Sequence, residues 1–184
     1  MKKQYRNAEK SKKAILDAFV ELLEDKKSIS LISVTELSGR ANISKSTFYN
    51  HYSDIYEVAE EFEKELTDKL YNALAQMERD GVTSHKEYFY QVISFLRKNE
   101  HIYRCAVASS DTRFFIDKLK LLISRKIFEN NPSLPFSADP QKRYVQIRFL
   151  TNAAVDTMVD YFKGSFDVPL ETVADIIADY LKNI

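Results

Sequence analysis

Between Ser44 and Tyr52 the chain reads SKSTFYNHY, and Lys45, Ser46, Thr47, Tyr49, Asn50 and His51 can all donate hydrogen bonds. Phe48 and Tyr52, four residues apart, fall on one face of a helix and can hold that face inward while the donors point out. Donors at the start of a helix suit the edges of base pairs: lysine addresses the acceptors of guanine, and the threonine methyl meets that of thymine. By residue type alone Tyr49 has two readings, a packing residue beside Phe48 or a contact to something outside the helix.

The elements that must position these donors are legible on either side. Ser33 is a good N-cap for a helix with Val34, Leu37 and Ala41 as its apolar positions. Asn42 follows, a residue that tolerates the left-handed conformation of a helix-ending turn. Ile43 then supplies a buried anchor and Ser44 caps a second, short helix predicted over Lys45–Tyr52. Upstream, a helix over about Ser11–Asp25 carries Ile15, Phe19, Leu22 and Leu23 on one face. Downstream, a long linking helix starts near Asp54, with Ile55, Val58, Phe62, Leu66, Leu70 and Leu74 in helical register, and ends before Gly81. A short polar helix held outward by an anchored turn is what reading a DNA major groove demands.

The set Ala41, Ile43, Ser44, Thr47, Phe48, Tyr49 and Tyr52, placed after a basic terminus and before a long linking helix, resembles the TetR family of bacterial one-component regulators. Two glycines of the family pattern are replaced by Asn42 and Ser46, and a lysine near the start of the fourth helix by Ile55. The likeness is specific over Lys10–Glu61; beyond it the chain matches in size and helical character. The resemblance implies an all-α fold: an N-terminal three-helix helix-turn-helix DNA-binding domain, residues 1–56, joined by a long helix to an all-helical regulatory and dimerisation domain, residues 57–184. It also implies a pseudo-palindromic double-stranded DNA operator bound by a homodimer, with contacts drawn from Thr35, Ser44, Lys45, Ser46, Thr47, Tyr49, Asn50 and His51. A sequence-specific repressor released by a small molecule is the function that follows. A regulator controlled by a protein partner is the alternative, and a helical enzyme of unknown type a remote one.

Composition sets the outer bounds. The chain has 184 residues, a formal net charge of zero, three glycines and four prolines, which fits a helical protein better than a many-turned β fold. Charge is unevenly spread: residues 1–13 hold Lys2, Lys3, Arg6, Lys10, Lys12 and Lys13 against Glu9, an excess of five positive charges. That segment reads as a solvated tail or as an arm that neutralises phosphates. The linking helix is acidic instead, with Glu57, Glu60, Glu61, Glu63 and Glu65. The single cysteine, Cys105, excludes an intrachain disulfide and suits a reducing compartment. With no apolar run near 18 residues and no secretion signal, a cytoplasmic protein without membrane contact is expected.

The remaining two thirds reads as helices separated by brief stops. Ser84 caps one bearing Tyr88, Val92, Phe95 and Leu96; a shorter one covers Glu100–Ala108; Asp111 caps a third bearing Ile116, Leu119, Ile123 and Ile127. NNPSLPFSADP, residues 130–140, is the one obvious loop. Gln141–Lys163 follows, and 12 of its 19 residues from Tyr144 to Phe162 are apolar, with Arg148, Asn152, Asp156 and Asp160 as a narrow polar stripe. A helix apolar around most of its circumference is buried on two sides, which points to a symmetry mate. The last helix, Leu170–Ile184, shares that expectation. The predicted dimer interface is Val155, Met158, Phe162, Val173, Ile177 and Leu181. Aromatic residues in this region read either as core or as the wall of a cavity for a small apolar or aromatic effector. The predicted pocket is Tyr71, Tyr88, Phe95, Tyr103, Phe115 and Phe149, with Arg148 or Asn152 as its polar handle. His85 and His101 stand far apart, so no metal site and no cofactor are expected, and Cys105 reads as a buried thiol. No Gly-rich phosphate loop, nucleophile elbow or paired carboxylates near a histidine support catalysis.

Overall fold

The computed structural model describes residues 2–81, 85–108, 113–129 and 136–182, without side-chain detail for residues 2–6, 85, 86, 88, 113, 114, 127–129, 181 and 182. Among the described residues there are nine α-helices and no strand: α1 (Lys2–Lys26), α2 (Val34–Arg40), α3 (Lys45–Tyr49), α4 (Ile55–Arg79), α5 (His85–Lys98), α6 (Glu100–Ala108), α7 (Arg113–Ile123), α8 (Pro140–Phe162) and α9 (Leu170–Lys182). A π-helical stretch, Ser124–Glu129, prolongs α7. The predicted caps Ser84 and Asp111 and most of the 130–140 loop lie outside the described residues.

Two boundaries differ from expectation. The helical backbone of α1 begins at Lys2, so the basic segment continues the first helix instead of forming a separate tail or arm. Alanine, glutamate and lysine are good helix formers, and Ala8, Glu9 and Lys10 bridge the two parts without a breaker. Lys12 of this segment is already engaged, its Nζ 2.6 Å from Glu61 on α4. At the other correction, α3 ends at Tyr49, not Tyr52. The chain turns there because α4 needs its own start. Asp54 accepts the Glu57 N–H at 3.0 Å, and the Glu57 carboxylate reaches back to the Ser53 N–H at 2.6 Å. That backbone donor holds Glu57 below the usual carboxylate range.

The core is continuous from Ile15 to Ala174. α1 supplies Ile15, Phe19, Leu22 and Leu23, and α4 threads through with Val58, Phe62, Leu66, Leu70 and Leu74, all buried. Phe19 meets Phe62 edge-on at 5.7 Å, joining the N-terminal helices to α4. α6 packs against both α1 and α8. Arg104 of α6 fixes the second contact by donating to the Tyr161 and Phe162 carbonyls at 3.3 and 3.0 Å, in the last turn of α8. α8 is started by Asp139, which accepts the Gln141 and Lys142 N–H groups, with Pro140 at its first position. It is stopped at Gly164, whose φ of 79° lets Ser165 N–H return to the Asp160 carbonyl at 2.9 Å.

Candidate nucleic-acid interface and ligand cavity

The turn between α2 and α3 is built by local capping. Ser33 accepts the Glu36 N–H at 3.2 Å and starts α2. Asn42 takes φ 54°, and the Ile43 N–H then bonds back to the Ser38 carbonyl at 3.0 Å, closing the turn. Ser44 accepts the Thr47 N–H at 3.1 Å, and the two hydroxyls lie 2.9 Å apart. Phe48 is fully buried and Tyr52 nearly so, which fixes the inner face of α3. Burial, with the nearby Glu61 carboxylate, raises the Tyr52 phenol above its ordinary value, so it stays neutral.

With that face pinned, the outer face is set. Thr35, Ser44, Lys45, Ser46 and Asn50 are exposed, and Tyr49 is 58 % exposed with its ring edge-on to Phe48 at 5.4 Å. Thr47 is half-buried. His51 is turned toward α1, its Nε2 2.7 Å from Ser11 Oγ, so it braces the motif against the first helix. Arg40, at the end of α2, is also committed inward, to Glu21 at 3.1 Å and Asp25 at 3.5 Å. Lys10 and Lys13 of α1 are exposed. The result is a short polar helix end standing out from a rigid apolar seat.

Between α4, α5, α6, α7, α8 and α9 lies an apolar cavity of about 80 Å³. Leu70, Val92, Leu96, Tyr103, Leu119, Val155, Met158, Phe162 and Ile177 are among its walls. Tyr103 contributes the sole polar side-chain atom of this lining, and its hydroxyl already donates to the Leu66 carbonyl at 3.4 Å. Of the residues predicted for the pocket, Tyr103 lines it. Phe95 touches the Tyr103 ring from behind at 6.5 Å, and Phe115 is fully buried elsewhere in the core. Tyr71 is exposed beneath the Lys126 ammonium, 4.7 Å from its ring. Phe149 is 70 % exposed on the outer side of α8. Arg148 and Asn152 line a separate open cleft between α7 and α8. The Tyr88 side chain lies outside the described residues.

The residues predicted for the dimer interface turn inward. Val155, Phe162 and Val173 are buried within the protomer, Met158 and Ile177 wall the cavity, and Phe162 stacks on Tyr103 at 5.9 Å. Leu181 lies outside the described side chains. What α8 and α9 expose is a different set, Tyr144, Val145, Phe149, Ile176 and Tyr180.

One cluster lies at His101, where the sequence raises no expectation of a metal site. Glu24 of α1 and Cys105, one turn along α6, meet it, and the three donor atoms lie within 4.8 Å of one another. The signal available in the sequence was the spacing of four between His101 and Cys105; the glutamate comes from a distant helix.

An all-helical chain whose capped helix-turn-helix seats a polar helix end above one continuous core defines a DNA-binding regulator fold. A family model for the C-terminal region of TetR-type transcriptional regulators matches residues 83–183, more than half of the chain. The chain belongs to the TetR family of transcriptional regulators. Solved structures repeat the fold over nearly the whole length. A TetR transcriptional regulator from Streptococcus agalactiae aligns with a TM-score of 0.71 at 22 % identity, covering 97 % of each chain. NalD, the secondary repressor of the MexAB-OprM multidrug efflux pump in Pseudomonas aeruginosa, aligns with a TM-score of 0.68 at 15 % identity, covering 97 % of this chain and 96 % of that one. DhaS, a dihydroxyacetone kinase operon activator, aligns with a TM-score of 0.65 at 18 % identity, covering 94 % of each. No curated protein matches the sequence closely enough to serve as a relative. Among the described residues no helix is long and apolar enough to cross a membrane.

Proposed function

We propose that this protein binds a pseudo-palindromic operator as a homodimer and represses transcription until a small, uncharged, apolar effector releases it. The observation that carries the reading is the seating of α3: Phe48 is fully buried while Lys45, Ser46 and Tyr49 stand exposed on the outer side of the helix. Side chains so placed can enter a major groove, and two copies related by a two-fold axis would meet grooves about 34–36 Å apart. In this reading residues 1–56 act as the DNA-binding head and residues 57–184 as the regulatory body. Lys45 addresses a base edge, Tyr49 a phosphate, and Lys10 and Lys13 add charge that is blind to sequence.

The effector class follows from the cavity. A lining without a charged group, whose one hydroxyl is already bonded, favours a ligand of hydrocarbon character over one with an acceptor that needs pairing. A ligand that binds the two states of the head with a difference of about 1–3 kcal/mol would change operator affinity about 5- to 150-fold. The size of the cavity favours a second reading, in which a protein partner replaces the metabolite: about 80 Å³ falls well below the roughly 300–1,000 Å³ of ordinary ligand pockets. Gel shift against the DNA flanking its own gene tests operator binding, and absence of any retarded species at low salt would sink it. Titration of the retarded complex with small aromatic hydrocarbons separates the effector readings.

A further inference from the structure

We propose that Glu24, His101 and Cys105 form a site for a borderline divalent transition metal of the zinc and cobalt kind, tying α1 to α6. The donors are one carboxylate oxygen, one imidazole nitrogen and one sulfur, a mixed set suited to such ions and poorly suited to magnesium or calcium. The two anionic donors neutralise a dication, and the neutral imidazole adds no charge. His101 and Cys105 are four residues apart on α6 and share a face. Glu24, on the last turns of α1, reaches them from across the helix contact, with His101 Nε2 3.5 Å from its carboxylate.

The geometry needs little movement. Bond lengths of about 2.0–2.3 Å in a tetrahedral site put donors about 3.3–3.8 Å apart. The present spread of up to 4.8 Å therefore closes by about 1 Å. The side chains that must turn are the two exposed ones, Glu24 and His101, whereas Cys105 is buried and fixed by α6. Burial and the Glu24 charge hold the free thiol above its ordinary value, against the opposing pull of Lys27. Ligation replaces the sulfur-bound proton by the metal, and that proton leaves to water. Three protein donors leave the fourth position to a water molecule.

The site has a structural consequence. α6 is already pinned to the end of α8 by Arg104, so a metal between α6 and α1 would join the helix that packs against α2 to the cavity-bearing body. The site is independent of the regulatory reading, and its test needs no DNA.

The experiment is titration of the reduced full-length chain, freed of any histidine tag, with cobalt(II) alone, followed by absorption spectroscopy. The expected result is saturation at one ion per chain, with a thiolate-to-cobalt charge-transfer band in the near ultraviolet and visible bands of tetrahedral intensity. Zinc(II) should abolish both by displacement. Cys105→Ser should lose the charge-transfer band. Glu24→Gln and His101→Gln, at exposed positions that leave the core untouched, should each weaken cobalt binding by at least about tenfold. Absence of the charge-transfer band in the parent chain would overturn the proposal. So would a band that keeps its affinity in both the Glu24→Gln and His101→Gln variants.

Discussion

Phe149→Glu tests the proposed homodimer together with the further proposal that the outer face of α8 is its interface. Phe149 is 70 % exposed, so in a single chain its ring contributes almost nothing to packing. A phenylalanine has about 200 Å² to bury, and covering the exposed part in a dimer removes about 140 Å² of apolar surface from water. At about 25 cal/mol per Å² that is about 3.5 kcal/mol. A two-fold interface uses the residue twice, giving about 7 kcal/mol, or a dissociation constant raised about 10⁵-fold. A glutamate in the same place adds the cost of an unpaired charge to that loss. Sedimentation velocity at micromolar protein should change from dimer to monomer. The thermal melt of the monomer should stay within the effect of an ordinary surface substitution, about 0.5 kcal/mol. Met158→Glu is the contrast. Met158 walls the internal cavity, so its replacement should unfold the chain at a cost of several kcal/mol without producing a folded monomer. A Phe149→Glu protein that sediments as a dimer would refute the assignment of this outer face.

Four further outcomes are expected. Tyr49→Phe keeps the edge contact to Phe48 and removes the hydroxyl alone, so operator affinity should fall by about 1–3 kcal/mol with no change in melting temperature; equal affinity by fluorescence anisotropy would show that the phenol does not touch DNA. Ser44→Ala removes the acceptor for the Thr47 N–H and should cost about 1 kcal/mol in urea denaturation, read as a lower midpoint at constant slope. Replacing exposed Lys10 and Lys13 by Gln should make the slope of log affinity against log salt shallower by up to about 2, whereas Lys12→Gln, already paired with Glu61, should change it less. Lys118→Met leaves half-buried Glu63 without its cation. Burial already raises the Glu63 carboxyl above its ordinary range, so the native state favours the protonated form and the added penalty applies once pH rises above that folded value. Destabilisation of at most about 1 kcal/mol should therefore be larger at pH 7 than at pH 4; equal losses at both would exclude Glu63 as the cause.

What was legible in the sequence was what short-range chemistry encodes. Ser33 and Ser44 cap the two helices expected of them, the linking helix starts at Asp54 as expected, and Asn42 adopts the left-handed turn, because each acts on groups two or three residues away. α8 was less readable. Its apolar residues cover more than one face, and periodicity cannot say which face meets the protomer's own core; Val155 and Phe162 lie inside and Phe149 outside. The basic N-terminal segment was read through its charge, yet without a breaker between Lys2 and Lys13 the backbone simply continues the helix. The cavity escaped residue by residue because six helices contribute to it, and no sequence spacing records which side chains leave a gap. Glu24 and His101 illustrate the same limit: they meet through the packing of α1 on α6, not through proximity in the chain.

The unbroken core has a consequence for protein engineering. Val58, Ala59 and Phe62 sit beyond any cut placed at residue 56, yet they are buried in the same cluster as Ile15, Phe19 and Leu37. A chimera that swapped only the first 56 residues would ask a foreign helix surface to fit the back of α1, and a mismatch there would leave Phe19 without its edge contact. A transplantable reading unit therefore has to carry the first turns of α4 with it, through about Leu66, where the Tyr103 hydroxyl of α6 bonds the α4 backbone. Recombination between such proteins should succeed within α4 and fail at the turn that precedes it.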